Sequence, residues 1–356
     1  MSQLHVEVCR IDSIEKHPNA DTLSIAHVKG WQTIIKTDSF HEGNLCVYVP
    51  VDSIFPDSLI ESEGMDYLKQ SKGRVKTIKL RGSVSQGLIL PASNPAWREG
   101  QDVAAELGIT KWEPPSREMQ AASSASGKPK KWHANPDFKV YTDIDNIKHY
   151  PNVFAAGEEV IVTEKIHGSS WRAGLLPRPT KTLWQRIKAF FSRDKYEFVY
   201  GSHKVQLGIY GHPNYYGENI YKQAAEKYNV RAVLKPGMIL YGEVFGPKVQ
   251  DLTYGLKEID VRFFDLMVDG RYADWDAFAA FCAENNLPTV PVLFRGPYDP
   301  AALDGWTSGQ SILCPSQIRE GCVVKPAHEQ NCHIGRKVLK SVSPDYLLRK
   351  GATEFH

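Results

Sequence analysis

The sequence predicts an α+β protein in two parts, a small closed β-barrel followed by a larger mixed α/β domain. Short, β-branched, partly alternating runs crowd the first part, at roughly the spacing of a small barrel. Longer apolar runs share the second part with amphipathic segments of helical period. Between them Glu113 to Pro136 is rich in Pro, Ser, Ala and Lys and has no apolar period, the composition of a linker or mobile loop. The predicted divisions are therefore 1–112, 113–136 and 137–356, and 42% apolar with 24% charged residues suits real cores in both domains.

In order, VEVCRIDSI, TLSIAHVKG, WQTIIKT, NLCVYVPVD, VKTIKLRG and QGLILP read as strands, bounded by turn clusters at HPNAD, HEGN and LRGSVSQG. DVAAELGI reads as a short helix after the barrel. Beyond the linker EEVIVTEKI, EFVYGS, MILYGEVFG, VRFFDLMV and EGCVVKP read as strands. ENIYKQAAEKYNV and YADWDAFAAFCAENN carry apolar residues at i, i+3, i+4 and read as helices, with an Asp ahead of the second as a start signal.

Several functions are excluded or unsupported. A net charge of +2 predicts no partner in bulk, so nucleic-acid binding would need a local patch. No stretch nears the ~18 uninterrupted apolar residues of a membrane helix, and the N-terminus meets charge too early for a signal peptide. The six cysteines make no disulfide framework, and Cys314, Cys322 and Cys332 match no common zinc spacing, so reduced thiols in a cytoplasmic protein are expected. No Gly-rich loop of the Walker or dinucleotide type opens a helix, so nucleotide chemistry would have to come from side chains.

Those side chains can be named. Thr163-Glu164-Lys165-Ile166-His167-Gly168-Ser169-Ser170 ends an apolar strand, where a lysine reaches into a cleft and a glycine lets backbone approach a ligand. Glu243 in MILYGEVFGP and Glu320 in IREGCVVKP interrupt nearly continuous apolar runs, a costly placement unless the acid is paired or binds a metal. Lys337 and Lys340 follow in KVLKSV. Two acids and two or three lysines on buried strands suit holding a triphosphate and its metal beside a nucleophile. His167 reads as a packing or hydrogen-bonding residue rather than an acid–base group.

EKIHGSS, YGEVFG, FFDLMV, EGCVVKP and KVLKS stand in the order and spacing of the covalent nucleotidyltransferase superfamily of ligases and capping enzymes. EKIHGSS resembles the EKxHG nucleophile motif of RNA ligases more than the KxDG of DNA ligases. The resemblance implies that Lys165 becomes AMP-linked, that Glu243 and Glu320 act as site acids and metal ligands, and that Phe264 stacks on adenine with Asp265 beside it. It places Glu164, Ile166, Gly168 and Ser202 around the nucleotide and Lys340, with Lys337, on the phosphates. The chain departs from the pattern at Ser169-Ser170, where Thr-Asn is usual, and at Val338, where a lysine two residues before Lys340 is usual. After Ser202, either His203 or Lys204 takes the place of the usual arginine.

The implied reaction is attack of the Lys165 amine on ATP, assisted by Mg²⁺ or Mn²⁺, both of which suit carboxylate and phosphate donors. A free lysine is neutral only about once in 10³ at pH 7, so cationic neighbours such as Lys340 and the metal must favour the neutral amine. At the N-terminus, Lys16 to Leu23 and Lys79 to Pro91 are similar to the two signatures of OB-fold tRNA-binding modules, with HPNAD itself read as a structural turn. Arg74, Lys76, Lys79 and Arg81 are a local basic run on alternating strand faces, read as nucleic-acid contacts with Lys204; a solvated strand face is the other reading. An OB domain ahead of the catalytic domain resembles the Deinococcus-type nick-sealing RNA ligases. That implies a nicked duplex partner with RNA on the 3′-hydroxyl side, and no membrane; no protein partner is readable. A DNA ligase or other nucleotidyltransferase, and an inert RNA-binding protein of the same fold, are the competing readings.

Overall fold

Leu45-Cys46-Val47-Tyr48-Val49 is apolar throughout, and the computed structural model shows why: this strand is covered on both faces. The structure describes residues 4–112, 134–179, 195–209, 219–349 and 352. Most of the stretch read as a linker, 113–133, lies outside them. The described residues form two compact units, 4–112 with 144–152, 341–349 and 352, and 134–143 with 153–179, 195–209 and 219–340.

The first unit contains β1 (Glu7–Arg10), β2 (Ser13–Lys16), β3 (Leu23–Val28), β4 (Trp31–Lys36), β5 (Leu45–Val49), β6 (Ser53–Ile54), β7 (Ile78–Leu80), β8 (Ser83–Ser85), β9 (Leu88–Pro91), β10 (Thr110–Lys111) and β11 (Asp145–Asn146). Antiparallel sheets β1-β5-β9 and β2-β3-β4 enclose the core. Period-two alternation sends Cys46 and Tyr48 toward Ala26, Val28, Trp31 and Ile89, and Val47 and Val49 toward Val8, Phe55, Ile60 and Trp97. Trp31 stacks on Tyr48 with ring centroids 5.8 Å apart.

The HPNAD turn and the KLRG segment meet. Buried His17 accepts the Asn19 N–H at Nδ1 (3.1 Å), which leaves Nε2 to donate to the Leu80 carbonyl (3.1 Å). Asn19 Nδ2 donates to the Arg81 carbonyl at 3.0 Å. Both turn residues of the β7–β8 hairpin, Arg81 and Gly82, have positive φ (46° and 97°), as a two-residue hairpin turn of matching twist requires. The basic run does not make the single alternating strand expected of it. Arg74 and Lys76 precede β7, and Arg74 forms only an isolated bridge to Ile54.

The second unit holds two larger sheets and the small β21–β22 hairpin. Its strands are β12 (Glu159–Lys165), β13 (Ser169–Pro177), β14 (Tyr196–Ser202), β15 (Gln206–Ile209), β16 (Met238–Phe245), β17 (Asp260–Val268), β18 (Arg271–Tyr272), β19 (Val292–Pro297), β20 (Gly321–Pro326), β21 (Asn331–Cys332) and β22 (Gly335–Arg336), with the first two residues of β23 (Leu339–Val342). One sheet runs β15-β14-β13-β16-β17-β18; the other contains the order β23-β20-β12-β19. The predicted helices appear as Ile220–Lys227, where the Asn219 side chain accepts the N–H groups of Tyr221 and Lys222, and Trp275–Glu284. Asp274 does precede the second helix, but its carboxylate accepts the Glu329 N–H (2.6 Å) instead of capping. Strands β13 and β19 have no counterpart among the expected elements. Among the described residues no helix is long and apolar enough to cross a membrane.

Candidate active site

Strand β12 lies between β19 and β20, so Val160 to Glu164 are buried on both faces. Alternation puts Glu164 and Lys165 on opposite faces. Glu164 is buried and its Oε2 accepts the Ile312 N–H at 2.8 Å; burial raises its carboxyl above the usual range. Lys165 is paired in register with Gly321, which brings its ammonium onto Oε1 of Glu320. Glu320 is 1% exposed, so an isolated charge there would be costly, and Lys165 supplies the counter-charge.

Past Lys165 the chain turns through Ile166, His167 and Gly168 into β13. Ile166 and His167 are buried. The His167 N–H donates to the Tyr254 hydroxyl at 2.7 Å, its Nε2 is 2.8 Å from Asp251 Oδ1, and its Nδ1 lies 3.4 Å from Glu320 Oε2. Gly168 is required by close approach: a Cβ there would sit 2.2 Å from the Val244 carbonyl oxygen and 2.9 Å from Glu243 Cγ. That approach brings the end of the lysine motif beside Glu243 on β16. Burial raises the Glu243 carboxyl to about 8; Lys165 pulls it down and Glu320 adds to the rise. The structure thus groups Lys165, Glu243 and Glu320 in one electrostatic cluster.

Phe264 is the extra residue of a bulge in β17, between the pairs Tyr241–Asp265 and Gly242–Phe263. It is half-buried, with its ring edge-on to Tyr141 at 4.9 Å. Its carbonyl accepts a hydrogen bond from Lys325 Nζ at 3.1 Å. Asp265 beside it is fully buried and accepts from Tyr141 Oη (2.8 Å), Arg336 Nη2 (2.6 Å) and Lys325 Nζ (3.3 Å). Burial by itself would raise the Asp265 carboxyl, but Lys325 and Arg336 outweigh it and hold it below the usual range. Arg336 lies 3.5 Å over the Tyr272 ring and also pairs with Glu329. Sequence reasoning missed Tyr141, Lys325, Arg336, Asp251 and Tyr254. Only Lys325, a charge ending the apolar run of β20, left a readable signal.

Lys340 is buried on β23, the neighbour of β20. Lys337 precedes that strand and its ammonium pairs with Glu158 Oε1 at 2.6 Å. Glu158 stands just before β12, while Lys165 is seven residues on, about 23 Å along an extended strand, so the structure does not bring Lys337 to Lys165. Ser202 ends β14, where its carbonyl accepts from Arg172 Nε at 3.0 Å. His203 pairs with Asp143 at 3.3 Å, and burial, aided by Arg172 and Lys204, lowers its imidazole to about 4. Lys204 is exposed. In the first unit Lys76, Lys79 and Arg81 are exposed, while Arg74 donates to buried Asp52 (2.7 Å) and stacks 3.3 Å over Trp112.

Glu243 and Glu320 are hard oxygen donors suited to Mg²⁺ or Mn²⁺. Among the described residues no group of three or more His, Cys, Asp or Glu side chains is arranged to hold an ion. Two carboxylates completed by phosphate oxygens and water is the arrangement typical of a nucleotide-bound Mg²⁺.

A family model described as RNA ligase matches residues 158–342, from the start of β12 to the end of β23. An OB-fold domain model matches residues 5–92. Comparison with curated proteins finds no match. Among solved structures, Naegleria gruberi RNA ligase with PPi is similar at TM-score 0.72 and 23% identity, over 97% of this chain and 98% of that one. A lysine-to-alanine variant of the Naegleria enzyme with ATP and Mn gives 0.71 and 24%, over 96% and 97%. A lysine-to-methionine variant with AMP and Mn gives 0.72 and 23%, over 96% and 97%. At these identities the likeness is one of fold, an OB-fold domain followed by a ligase domain. The RNA ligase match spans more than half of the sequence and contains Lys165, Glu243, Phe264, Glu320 and Lys340, and on that ground the chain belongs to the RNA ligase family.

Proposed function

We propose that this RNA ligase uses ATP to adenylylate Lys165 and then seals a 3′-hydroxyl to a 5′-phosphate at a nick, with RNA on the 3′-hydroxyl side. The observation that carries the reading is the Lys165 ammonium on buried Glu320, at the end of a strand whose following turn packs at Gly168 against Glu243. The Naegleria structures with ATP, AMP, PPi and Mn support a nucleotide and a divalent ion as its partners.

The Lys165 Nζ, having released a proton, attacks the α-phosphorus of ATP. An N–P bond forms, the bond from that phosphorus to the bridging oxygen breaks, and pyrophosphate leaves. A 5′-phosphate oxygen then attacks the same phosphorus and the N–P bond breaks, which returns Lys165 to its amine. The 3′-hydroxyl finally attacks the activated 5′-phosphate, loses its proton and expels AMP. Glu243 and Glu320 would hold the divalent ion, which when bound stabilises charge on the phosphate oxygens. Lys340 serves the phosphates. Lys337, engaged by Glu158, supports the start of β12 instead. Phe264 offers its half-buried ring to adenine, while Glu164, Ile166 and Ser202 shape the walls around it.

Lys76, Lys79 and Arg81 on and beside the β7–β8 hairpin meet the nucleic-acid backbone, as does Lys204 in the catalytic unit. Arg74 is committed to Asp52 and Trp112 and contributes to that surface by holding the segment that precedes it. Nicked duplexes with RNA or DNA on each side of the nick test the reading. Sealing is expected when the 3′-hydroxyl strand is RNA and is lost when only that strand's terminal residues are DNA. Equal sealing of all-DNA nicks would overturn the RNA polarity.

A further inference from the structure

The chain between β16 and β17, residues 246–259, closes on the nucleophile motif with three side chains from a five-residue stretch. Gln250 Nε2 donates to the Gly168 carbonyl (3.2 Å), Asp251 Oδ1 meets His167 Nε2 (2.8 Å), and the Tyr254 hydroxyl accepts the His167 N–H (2.7 Å). Tyr254 is itself firmly held. It is buried, its N–H donates to Gln317 Oε1 (2.8 Å), and its ring lies edge-on to Phe245 at 5.0 Å. Its φ is 54°, a conformation a bulky side chain rarely adopts, so the surroundings fix it there against its preference. His167 passes this restraint onward, because its Nδ1 faces the oxygen of Glu320 next to the one that carries the Lys165 ammonium.

We propose that Tyr254 and Asp251 are positioning residues for nucleotidyl transfer. Tyr254 fixes the backbone of the turn after Lys165, and Asp251 fixes the imidazole of His167 and through it the carboxylate that aims Lys165. The inference rests on the reading of Lys165 as the adenylylated residue. It predicts an effect on the rate of Lys165 attack at saturating ATP rather than on ATP binding. Small misplacements at a reacting centre cost about 10- to 100-fold in rate.

The test is single-turnover formation of the lysyl-AMP adduct across ATP concentrations with Mn²⁺, in the full chain, for wild type, Asp251→Ala, Asp251→Asn and Tyr254→Phe. Asp251 is more than half exposed as a side chain, so its variants fold. Expected are maximal rates lowered about 10- to 100-fold in Asp251→Ala and Tyr254→Phe, with half-saturating ATP changed by less than about threefold. Asp251→Asn keeps an oxygen acceptor for Nε2–H and recovers most of the rate. Sealing of a nick already carrying a 5′-adenylyl group, which needs no attack by Lys165, falls much less. Unchanged maximal rates, a rise in half-saturating ATP alone, or equal loss in both assays would overturn the positioning role while leaving the lysyl-AMP reading intact. No adduct in the wild type would overturn both.

Discussion

Glu243 and Glu320 face the same ammonium from different environments. Glu320 receives Lys165 directly, whereas Glu243 sits on a strand that burial makes hostile to charge, and its carboxyl is raised to about 8. An unfolded glutamate titrates near 4.5, so between the two values the folded state binds the extra proton. The stability this group contributes is therefore full below about 4.5 and is lost as pH climbs through about 8. Without nucleotide and metal, the melting temperature of wild type should fall relative to that of Glu243→Gln between pH 5 and 9; parallel curves would show that Glu243 ionises freely. The same shift makes the ionised form of Glu243 scarcer at neutral pH, so on the proposed reading a divalent ion held there would displace its proton. Lys165, Glu243 and Glu320 were legible in the sequence because a charge inside an apolar strand has few explanations. Asp251 and Tyr254 were not, since they lie in an irregular segment with no period and act only through the turn they touch.

At the scale of elements, the site depends on two sheets being held in register. Asp265 on β17 joins Lys325 on β20 and Arg336 on β22 in one buried network, and Phe264 sits in the bulge beside it. Removing one partner strands the others, so Asp265→Ala should cost about 3–5 kcal/mol, read by urea denaturation; a loss under about 1 kcal/mol would mean the network is not holding the sheets. Gly168→Ala tests the other contact. Its methyl cannot fit 2.2 Å from the Val244 carbonyl, so the turn leading into β13 must move off β16 and adduct formation should drop by about 100-fold or more. Wild-type rates in that variant would show that the close approach is dispensable. The apolar strands and both amphipathic helices of this unit could be read from periodicity. Strand β13 could not, because Ser169, Ser170, Arg172 and Gly174 break its apolar run, yet Arg172 is buried by bonds to the carbonyls of Ser202 and Phe138.

Over the whole molecule, the proposed reading gives the chemistry to the catalytic unit and most of the nucleic-acid contacts to the β7–β8 hairpin. The net charge of +2 hides an exposed basic hairpin, whose Arg81 is held in a left-handed conformation by the Asn19 side chain. Lys79→Ala and Arg81→Ala should each weaken binding to nicked duplex similarly across base sequences. Each should also reduce the slope of log affinity against log salt by about 1, while lysyl-AMP formation stays at the wild-type rate. An unchanged salt slope would remove those residues from the interface. The basic residues were visible in the sequence, but Arg74 belongs to a buried ion pair with Asp52, a long-range partnership that no local pattern reveals.

The most direct measurement is the intact mass of the purified full chain after incubation with ATP and Mn²⁺, with Lys165→Ala alongside. A gain equal to one adenylyl group is expected in the wild type, released by added pyrophosphate, and none in Lys165→Ala. An adduct that persists in Lys165→Ala, or its absence from a wild type shown to carry none beforehand, would contradict adenylylation of Lys165.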